Sequence, residues 1–200
     1  MLLNINPDTP QYRLIDKVVD QLKRGGIIAY PTDTNYGIGC DIRNKKAIER
    51  IYKLRQRSKT KPFSFVCSGL KNISHYAKVS NYAYKTMRRL LPGPYTFVLE
   101  GSKQVPKMML TKRKTAGIRV PDNAICLALV EALGNPILSA SAKNPDGELF
   151  EDPSFIHDHL GKRLDVVIDG GPVPGRPSSV ISLIRDEPEI IRYGIGDVSL

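Results

Sequence analysis

The sequence has little aromatic content and no long apolar run. Its 200 residues include no tryptophan, and aromatic residues make up 7% of the chain. No apolar segment is long enough to cross a bilayer, and no basic start followed by an apolar stretch marks a signal peptide. A hydrophobic fraction of 41% supports one compact domain over residues 1–200, with a core built mainly from Ile, Leu and Val. We expect a cytoplasmic protein with no membrane partner.

Cysteine and histidine are scarce as well. The three cysteines, Cys40, Cys67 and Cys126, are odd in number, and their spacing fits neither a disulfide framework nor a zinc site. Each stands beside apolar residues, which predicts reduced, buried thiols. None of the three histidines lies in a segment that resembles a catalytic-base site, which argues against a serine hydrolase. His157 and His159 lie on a predicted surface helix, at a spacing that is wrong for two metal ligands on one helical face. A Walker A motif and a dinucleotide-binding fingerprint are also missing, so any use of ATP must lie outside the standard nucleotide-binding folds.

Positive charge is in excess and is unevenly placed. The 30 Lys and Arg residues against 20 Asp and Glu give a formal net charge of +10. Residues 43–61 hold nine basic residues and one acid, and residues 102–119 hold six basic residues and no acid. This distribution predicts an anionic partner such as a nucleotide or RNA, while a merely basic soluble protein is the alternative.

Helical and strand patterns alternate along the chain. Apolar spacing and capping residues predict helices at 10–24, 44–56, 81–91 and 122–133. Short apolar runs predict strands at 26–31, 63–67, 95–99, 117–120, 137–142, 166–169, 179–184 and 189–192. Because several strands follow one another near the C-terminus, the pattern predicts an α/β fold with a twisted mixed (parallel and antiparallel) sheet flanked by helices.

The first candidate for chemistry is the segment from Pro31 to Gly37, PTDTNYG, which follows a predicted buried strand. Loops at strand ends often carry active sites in α/β folds. Two threonine hydroxyls and Asp33 suit a ligand-binding loop, but Asp and Thr side chains also hold ordinary turns. Taken alone, the segment favours the turn.

The second candidate is the basic stretch 53–62. In a continuous helix Lys53 and Arg55 would point to nearly opposite sides, so they converge only if the chain unwinds between them. An unwound stretch offers a cluster of cations suited to a triphosphate, whereas a helical one is a solvated basic face. For the outer residues, Arg57 and Lys59, a solvated face or a contact with RNA phosphates is favoured.

Further polar features lie at predicted strand ends. Residues 139–144, SASAKN, offer hydroxyls and backbone N–H groups that can hold a phosphate or a carboxylate. Residues 175–180, GRPSSV, form another small, hydroxyl-rich loop. Arg119 and Arg192 are single cations between apolar residues, and burying such a cation is costly unless it is paired. Each is therefore either part of an internal salt bridge or a ligand for a carboxylate or phosphate.

Each motif is weak by itself, but their order is specific. The succession is PTDTNYG, KLRQRSKTKP, LLPGPYTFVL, GIRVPDN, ILSASA, GRPSSVI and IIRYGIGD. Over nearly the whole chain it resembles the YrdC/YciO family, in its short form and closest to the YciO-like branch. The resemblance implies a YrdC-like α/β fold with a basic cavity. It also implies an L-threonylcarbamoyladenylate synthase-like nucleotidyltransferase, which joins threonine, bicarbonate and ATP and releases pyrophosphate in tRNA modification.

For threonine, the resemblance implies contacts with Thr32, Arg119, Ser139 and Ser178, with Arg119 binding the carboxylate. RNA, in particular tRNA, would bind along the two basic segments 43–61 and 102–119. Downstream tRNA threonylcarbamoyl-transfer proteins are further partners that the resemblance implies.

For ATP, the resemblance implies that the K-x-R pair, Lys53 and Arg55, holds the phosphates and the carbamate and supplies the catalytic cations. Ser141 and Arg192 would also contact the nucleotide. Mg²⁺ would arrive with ATP rather than at a site built by the protein.

One position departs from the family pattern. The family commonly has Ser-Ala-Asn where this chain has Ser141-Ala142-Lys143, and Asn144 comes one residue later, which in a strand turns its side chain to the other face. A lysine can contact phosphate, but it cannot accept a hydrogen bond as an amide does. Two alternatives therefore stay beside the synthase: a non-catalytic RNA- or nucleotide-binding protein with the same cavity, and a related carbamoyl-adenylate enzyme acting on another amine or on carbamoyl phosphate.

Overall fold

Ten strands and six α-helices lie in the part of the chain that the computed structural model describes, residues 1–56, 63–144 and 146–199. The strands are β1 (Leu2–Asn4), β2 (Ile28–Tyr30), β3 (Gly37–Gly39), β4 (Ser64–Val66), β5 (Tyr95–Glu100), β6 (Thr115–Arg119), β7 (Ile137–Ser141), β8 (Val166–Asp169), β9 (Ser179–Ser182) and β10 (Glu189–Arg192). The helices are α1 (Tyr12–Lys23), α2 (Lys45–Leu54), α3 (Leu70–Tyr76), α4 (Asn81–Leu90), α5 (Ala124–Leu133) and α6 (Pro153–Leu160). Short 3-10 turns occupy Lys107–Met109 and Gly161–Arg163.

The described strands form one mixed sheet. Their order across the sheet is β1, β8, β2, β3, β7, β4, β6, β5, β9 and β10. The neighbouring pairs β1–β8, β2–β8, β4–β6 and β5–β9 are parallel, and the others are antiparallel. A mixed sheet with helices on its faces confirms the predicted fold class.

Helices cover both faces of the sheet. Side chains alternate along β2, so Ile28 and Tyr30 pack in the cluster that contains α1 and α5, while Ala29 faces the opposite cluster. Helix α2 contributes Ile48 and Ile51 to that opposite cluster. The buried runs of the strands thus reflect a sheet that is covered on both sides.

The helix ends follow local chemistry. The side chain of Asn44 accepts a hydrogen bond from Ala47 N at 3.0 Å, which confirms it as the cap of α2. Helix α2 ends at Leu54, short of the predicted residue 56, and Gln56 has a left-handed φ of 46°. Gly134 closes α5 with φ 76°, a conformation that glycine adopts at no steric cost. Within the described ranges, no helix is long and apolar enough to span a membrane.

The sequence does not predict β1, β3 or α3 as elements. Strand β3 reads Gly-Ile-Gly, and glycine is depleted in strands because it weakens them. The fold nevertheless requires glycine there, since a Cβ on Gly39 would lie 2.7 Å from Cε1 of the buried Tyr30 ring. Close packing between two neighbouring strands explains a pattern that local propensity reads as a turn.

The three cysteine thiols are free and buried, as the sequence predicts. Burial raises the pKa of Cys67 and of Cys126 to about 12, and it also raises the pKa of Cys40. All three therefore remain protonated at neutral pH and act as small apolar core residues.

Candidate active site

A cavity of about 280 Å³ opens on the strands from β4 to β7 and on β9 and β10. Its described lining residues are Asn35, Phe63, Ser64, Thr96, Val98, Thr111, Thr115, Ala116, Gly117, Arg119, Ser139, Ala140, Ser141, Ser178, Val180 and Arg192. Two of them are arginines, seven carry hydroxyls, and no described lining residue is acidic. Such a cavity suits an anionic ligand with several hydrogen-bonding groups.

Five residues that the sequence assigns to the site line this cavity: Arg119, Ser139, Ser141, Ser178 and Arg192. Ser139 and Ser141 lie two residues apart on β7, so their side chains leave the same face of the strand. The tertiary structure therefore brings together residues that are as far apart in sequence as positions 119 and 192.

Arg119 is fixed at the end of β6 by a buried ion pair. Its Nη2 lies 2.9 Å from Asp33 Oδ1 and also donates to Thr34 Oγ1 at 2.9 Å. Asp33 Oδ2 accepts from Asp122 N at 3.0 Å, so one carboxylate joins the loop after β2 to the loop after β6. Burial raises the pKa of Asp33, and the neighbouring Arg119 charge opposes that rise. Arg119 thus forms the internal salt bridge and also faces the cavity.

Arg192 projects from the edge strand β10 and is held differently. Its Nε and Nη2 donate to the carbonyl oxygen of Ser178 at 3.1 and 2.8 Å. The Ser178 hydroxyl is 2.8 Å from that of Thr96, which fixes the floor of this part of the cavity. Burial and the nearby positive charge of Arg119 lower the pKa of Arg192. No carboxylate of the described residues pairs with Arg192, so its charge is available to an anion.

Thr32 is placed in a turn rather than on the cavity wall. Its Oγ1 donates to the carbonyl oxygen of Asn35 at 2.5 Å and accepts from the N–H groups of Thr34 and Asn35, both at 3.2 Å. The side chain is 1% exposed and is not among the described lining residues. In this structure the hydroxyl organises the PTDTNYG loop, as the turn interpretation predicts.

The K-x-R pair lies at the end of α2. Lys53 is exposed in the last helical turn, and Arg55 follows the helix as its cap. Nη1 of Arg55 donates to the carbonyl oxygen of Lys143 at 3.2 Å, which places Arg55 beside the chain that leaves β7. The helix ends between the two cations, as their convergence requires, but neither is among the described lining residues. Arg57 and Lys59 lie outside the described residues.

The structure also shows where Lys143, the residue that departs from the family pattern, and the following Asn144 lie. The Asn144 amide donates to Glu148 Oε2 at 3.0 Å, and its Oδ1 accepts from Glu148 N at 2.9 Å. Asn144 therefore closes a turn instead of facing the cavity. Lys143 is not a described lining residue, and it forms an isolated antiparallel bridge with Leu149.

Several lining residues carry no sequence signal of their own. Ser64, Thr111 and Thr115 are ordinary strand or loop residues in the sequence, and Thr96 lies in a quoted motif but has no assigned role. Sheet pairing brings Ser64, Thr96 and Thr115 together, and the Thr111 hydroxyl bonds with that of Thr115. Asn35 lies within a segment that the sequence singles out, yet the side chain that faces the cavity is the amide and not the Thr32 hydroxyl. Within the described ranges, no cluster of three or more His, Cys, Asp or Glu side chains is placed to hold a metal ion.

Comparison with known sequences identifies the family. Residues 20–194 match the sequence model of the Sua5/YciO/YrdC family, which is described as telomere recombination. The uncharacterised protein YciO of Escherichia coli K12 is 46% identical over 196 residues, which cover 97% of this chain and 95% of YciO. The chain belongs to the Sua5/YciO/YrdC family. The mouse threonylcarbamoyl-AMP synthase is 33% identical over 161 residues, which cover 78% of this chain and 55% of the mouse protein.

Solved structures agree with this membership. The crystal structure of E. coli YciO superposes with a TM-score of 0.95 at 45% identity and covers 100% of this chain and 98% of that protein. The P. abyssi Sua5 complexed with L-threonine superposes with a TM-score of 0.90 at 26% identity and covers 97% of this chain and 57% of that protein. The family and the YrdC fold that the resemblance implies are therefore confirmed.

Proposed function

We propose that this protein is a threonylcarbamoyl-AMP synthase-like nucleotidyltransferase. The amine of threonine captures CO₂ from bicarbonate to form a carbamate. A carbamate oxygen then attacks the α-phosphorus of ATP, the bond from this phosphorus to the bridging oxygen breaks, and pyrophosphate leaves. The product is threonylcarbamoyl-AMP, an intermediate for tRNA modification.

The observation that carries the proposal is the charge pattern of the cavity. Two arginines and seven hydroxyl-bearing residues surround a space of about 280 Å³ with no described acidic lining residue. Both substrates are anionic, since threonine brings a carboxylate and ATP brings phosphates. Relationship to threonylcarbamoyl-AMP synthases at about 30% identity and the fold shared with a threonine-bound Sua5 support the same chemistry.

In the threonine half of the site, Arg119 would bind the carboxylate. Its guanidinium is pre-oriented by Asp33, so little side-chain entropy is lost when the ligand binds. Ser139 and Ser178 would supply hydroxyls to the amino acid. Thr32 would act from the turn it stabilises, by holding the loop that borders the ligand.

In the nucleotide half, Arg192 and Ser141 would contact ATP from the cavity wall. Lys53 and Arg55 would approach the phosphates from the end of α2 and offset the negative charge that develops as pyrophosphate leaves. Mg²⁺ belongs to this proposal as part of the Mg-ATP substrate. Catalysis would come chiefly from positioning and electrostatic stabilisation, because none of these residues needs to form a covalent intermediate.

The test is pyrophosphate release from ATP in the presence of L-threonine and bicarbonate. We expect threonine-dependent release by the wild type and at least a tenfold lower rate for Lys53→Ala, because one charge-assisted phosphate contact contributes about 1.5–3 kcal/mol. Lys23→Ala is the matched control, since Lys23 is an exposed lysine in the last turn of a different helix. Lys23→Ala should match the wild type.

Pyrophosphate release that does not exceed the Lys53→Ala background would remove the synthase proposal. The same assay with other amino acids, and with carbamoyl phosphate in place of bicarbonate, identifies the amine and carbonyl donor. Faster turnover with another amine would assign this chain to a related carbamoyl-adenylate reaction.

RNA binding is a second candidate function, and a specific observation favours it. The two basic segments of the sequence meet in space, because Tyr52 OH donates to the carbonyl oxygen of Met108 at 3.1 Å. A groove of about 410 Å³ lies there, with exposed Arg43, Lys45 and Lys107 around it. These cations would bind RNA phosphates, such as those of the tRNA that receives the product directly or through threonylcarbamoyl-transfer proteins.

Titration of tRNA at several salt concentrations tests this surface. We expect the logarithm of the association constant to fall linearly with the logarithm of salt concentration. Replacing Arg43, Lys45 and Lys107 together by alanine should reduce that slope by about 2–3 units, or about 0.7–0.9 per phosphate contact. Binding that is absent or independent of salt would contradict an RNA role for the groove.

A further inference from the structure

Asn35 is an amide that faces the cavity without a partner. The residue is 3% exposed and lies on the cavity wall. Among the described residues, no group forms a hydrogen bond with its side-chain amide. The amide atoms are not enclosed by the described residues in the way that Tyr30 Oη and Arg119 Nε are, so they reach the open space of the cavity. The two donors and the acceptor oxygen of the amide are therefore suited to a ligand that enters this space.

The backbone of Asn35 is held rigidly, which fixes where the amide can point. Thr32 Oγ1 donates to the Asn35 carbonyl oxygen and accepts from the Asn35 N–H. One residue later, the sheet ladder begins, since Ala142 N donates to the carbonyl oxygen of Tyr36 at 2.8 Å. Asn35 is thus clamped between a tight turn and a strand, the setting in which a binding side chain is pre-organised.

The other described polar side chains that line the cavity are arginines and hydroxyls, and none of them is an amide or a carboxylate. Arg119 and Arg192 can only donate hydrogen bonds. The hydroxyls of Thr96 and Ser178 lie 2.8 Å apart, and those of Thr111 and Thr115 lie 2.7 Å apart, so in each pair one hydroxyl donates to the other. An amino acid also brings N–H groups that need an acceptor, and no described carboxylate lines the cavity. The Oδ1 atom of Asn35 can meet that need.

Asn35 also lies close to the end of β7, where this chain departs from the family pattern. Strand β3 pairs with β7 in the register Gly37 to Ser141, and the ladder bond from Ala142 to Tyr36 extends that pairing. Asn35 therefore lies just before β3, and extending this antiparallel register sets it opposite Lys143, which follows β7. The nearby Asn144 cannot serve the cavity, because both ends of its amide bind Glu148. A cavity-facing amide at this end of β7 comes instead from the loop before β3.

We infer that Asn35 is the specificity-determining residue for the substrate amine: its Oδ1 accepts the N–H of the amino acid and of the carbamate formed from it. This inference rests on the proposed synthase function. Asn35 selects an amine-bearing ligand, while the arginines hold the anionic groups.

A pair of ligands isolates the amine contact. L-Threonine and 3-hydroxybutanoate share a carbon skeleton and a carboxylate, and only threonine has the amine. Titration calorimetry with both ligands would be done on the wild type, Asn35→Ala and Asn144→Ala. We expect Asn35→Ala to weaken threonine binding about tenfold, since one lost hydrogen bond to a charged group has this order of effect. The same variant should leave 3-hydroxybutanoate binding within about twofold. Asn144→Ala should change neither affinity, because that amide serves only the turn.

The possible results separate this inference from the synthase proposal. Equal weakening of both ligands by Asn35→Ala, or no weakening of threonine, would overturn the role of Asn35 while leaving pyrophosphate release to decide the enzyme. Wild-type protein that binds threonine but releases no pyrophosphate would remove the enzyme proposal, and the titrations would still decide the inference. Wild-type protein that does not prefer threonine to the analogue would refute the inference directly. If Asn35→Ala does not fold, Asn35→Asp replaces it: this variant keeps an acceptor oxygen, so it should retain the preference for threonine.

Discussion

The two arginines of the cavity have the same charge but opposite settings. Arg119 is 5% exposed, sits at the end of an interior strand, and pairs with Asp33 at 2.9 Å. Arg192 lies on the edge strand β10, is bonded to a backbone carbonyl, and has no carboxylate partner among the described residues. Arg119 therefore stabilises the fold and also faces the ligand, whereas Arg192 serves mainly as a positive charge that faces the ligand.

This difference separates two ways of holding an anion. A guanidinium fixed by a buried carboxylate is pre-oriented, but part of its charge is already compensated. A guanidinium without a carboxylate keeps its full attraction for phosphate, at the cost of a lowered pKa in a partly buried position. The comparison predicts that changes at Arg119 act first on stability and changes at Arg192 act first on binding.

Removal of Arg119 should have the largest effect. Arg119→Met leaves the Asp33 carboxylate buried without its cation, and breaking one side of a buried pair costs about 3–5 kcal/mol. Urea unfolding measures this loss. The control is Lys78→Met, because Lys78 and Glu100 form a shorter ion pair of 2.6 Å with side chains that are 71% and 45% exposed. That exposed pair should contribute less than about 1 kcal/mol. Equal losses in the two variants would break the contrast between buried and exposed pairs.

Asp33→Asn should have the next largest effect. The amide keeps the shape but removes the negative charge from Arg119 and one acceptor from the Asp122 N–H, so we expect a fall of about 1–3 kcal/mol in the free energy of unfolding. The double variant Asp33→Asn with Arg119→Met should be more stable than Arg119→Met alone, because no uncompensated carboxylate remains. Strict additivity of the two single changes would show that the residues are not coupled.

Arg192→Ala should change binding more than stability. We expect a weakening of pyrophosphate or ATP binding of about tenfold and a change in unfolding free energy of about 1 kcal/mol or less. Arg185→Ala is the control, since Arg185 is exposed in the loop before β10 and is not a described lining residue. A stability loss at Arg192 as large as that at Arg119 would contradict the assignment of the two arginines to different roles.

Salt should produce the smallest effect and should separate the two arginines again. Added salt screens exposed charges over a Debye length of about 10 Å at 0.1 M, whereas buried pairs are screened less. The difference in pyrophosphate affinity between the wild type and Arg192→Ala should therefore shrink by a few fold from 0.05 to 0.5 M salt. The stability difference between the wild type and Arg119→Met should change little over the same range.

Local patterns were sufficient to predict most elements of this fold. Helical spacing with an Asn cap and a closing Gly marks α2 and α5, because caps and apolar periodicity act within a few residues. Strand β3 could not be predicted in this way. Its glycines are explained by the ring of Tyr30 on the neighbouring strand, and such a contact leaves no local signal.

The candidate site divides in the same manner. The order of motifs indicates the family, and five of the assigned residues, Arg119 among them, do line one cavity. Thr32 and Asn35 belong to the same motif, but their roles differ. In the folded turn the Thr32 hydroxyl forms hydrogen bonds with the backbone of Asn35, and the sequence alone does not show which side chain is used in this way. The roles in binding and catalysis stay predictions that the variants above can test.

The sequence by itself determined the α/β class, the family, the buried thiols and the basic character of the segments around the site. These properties depend on composition, on periodicity and on residue order. Each of them can be read from neighbouring residues or from sums over the chain. The tertiary structure decided that Asp33 compensates Arg119, that Arg192 is left without a carboxylate, and that Asn35 rather than Asn144 presents an amide to the cavity. Each of these depends on pairing between distant strands, and the burial and orientation of a polar group are fixed only when those strands meet.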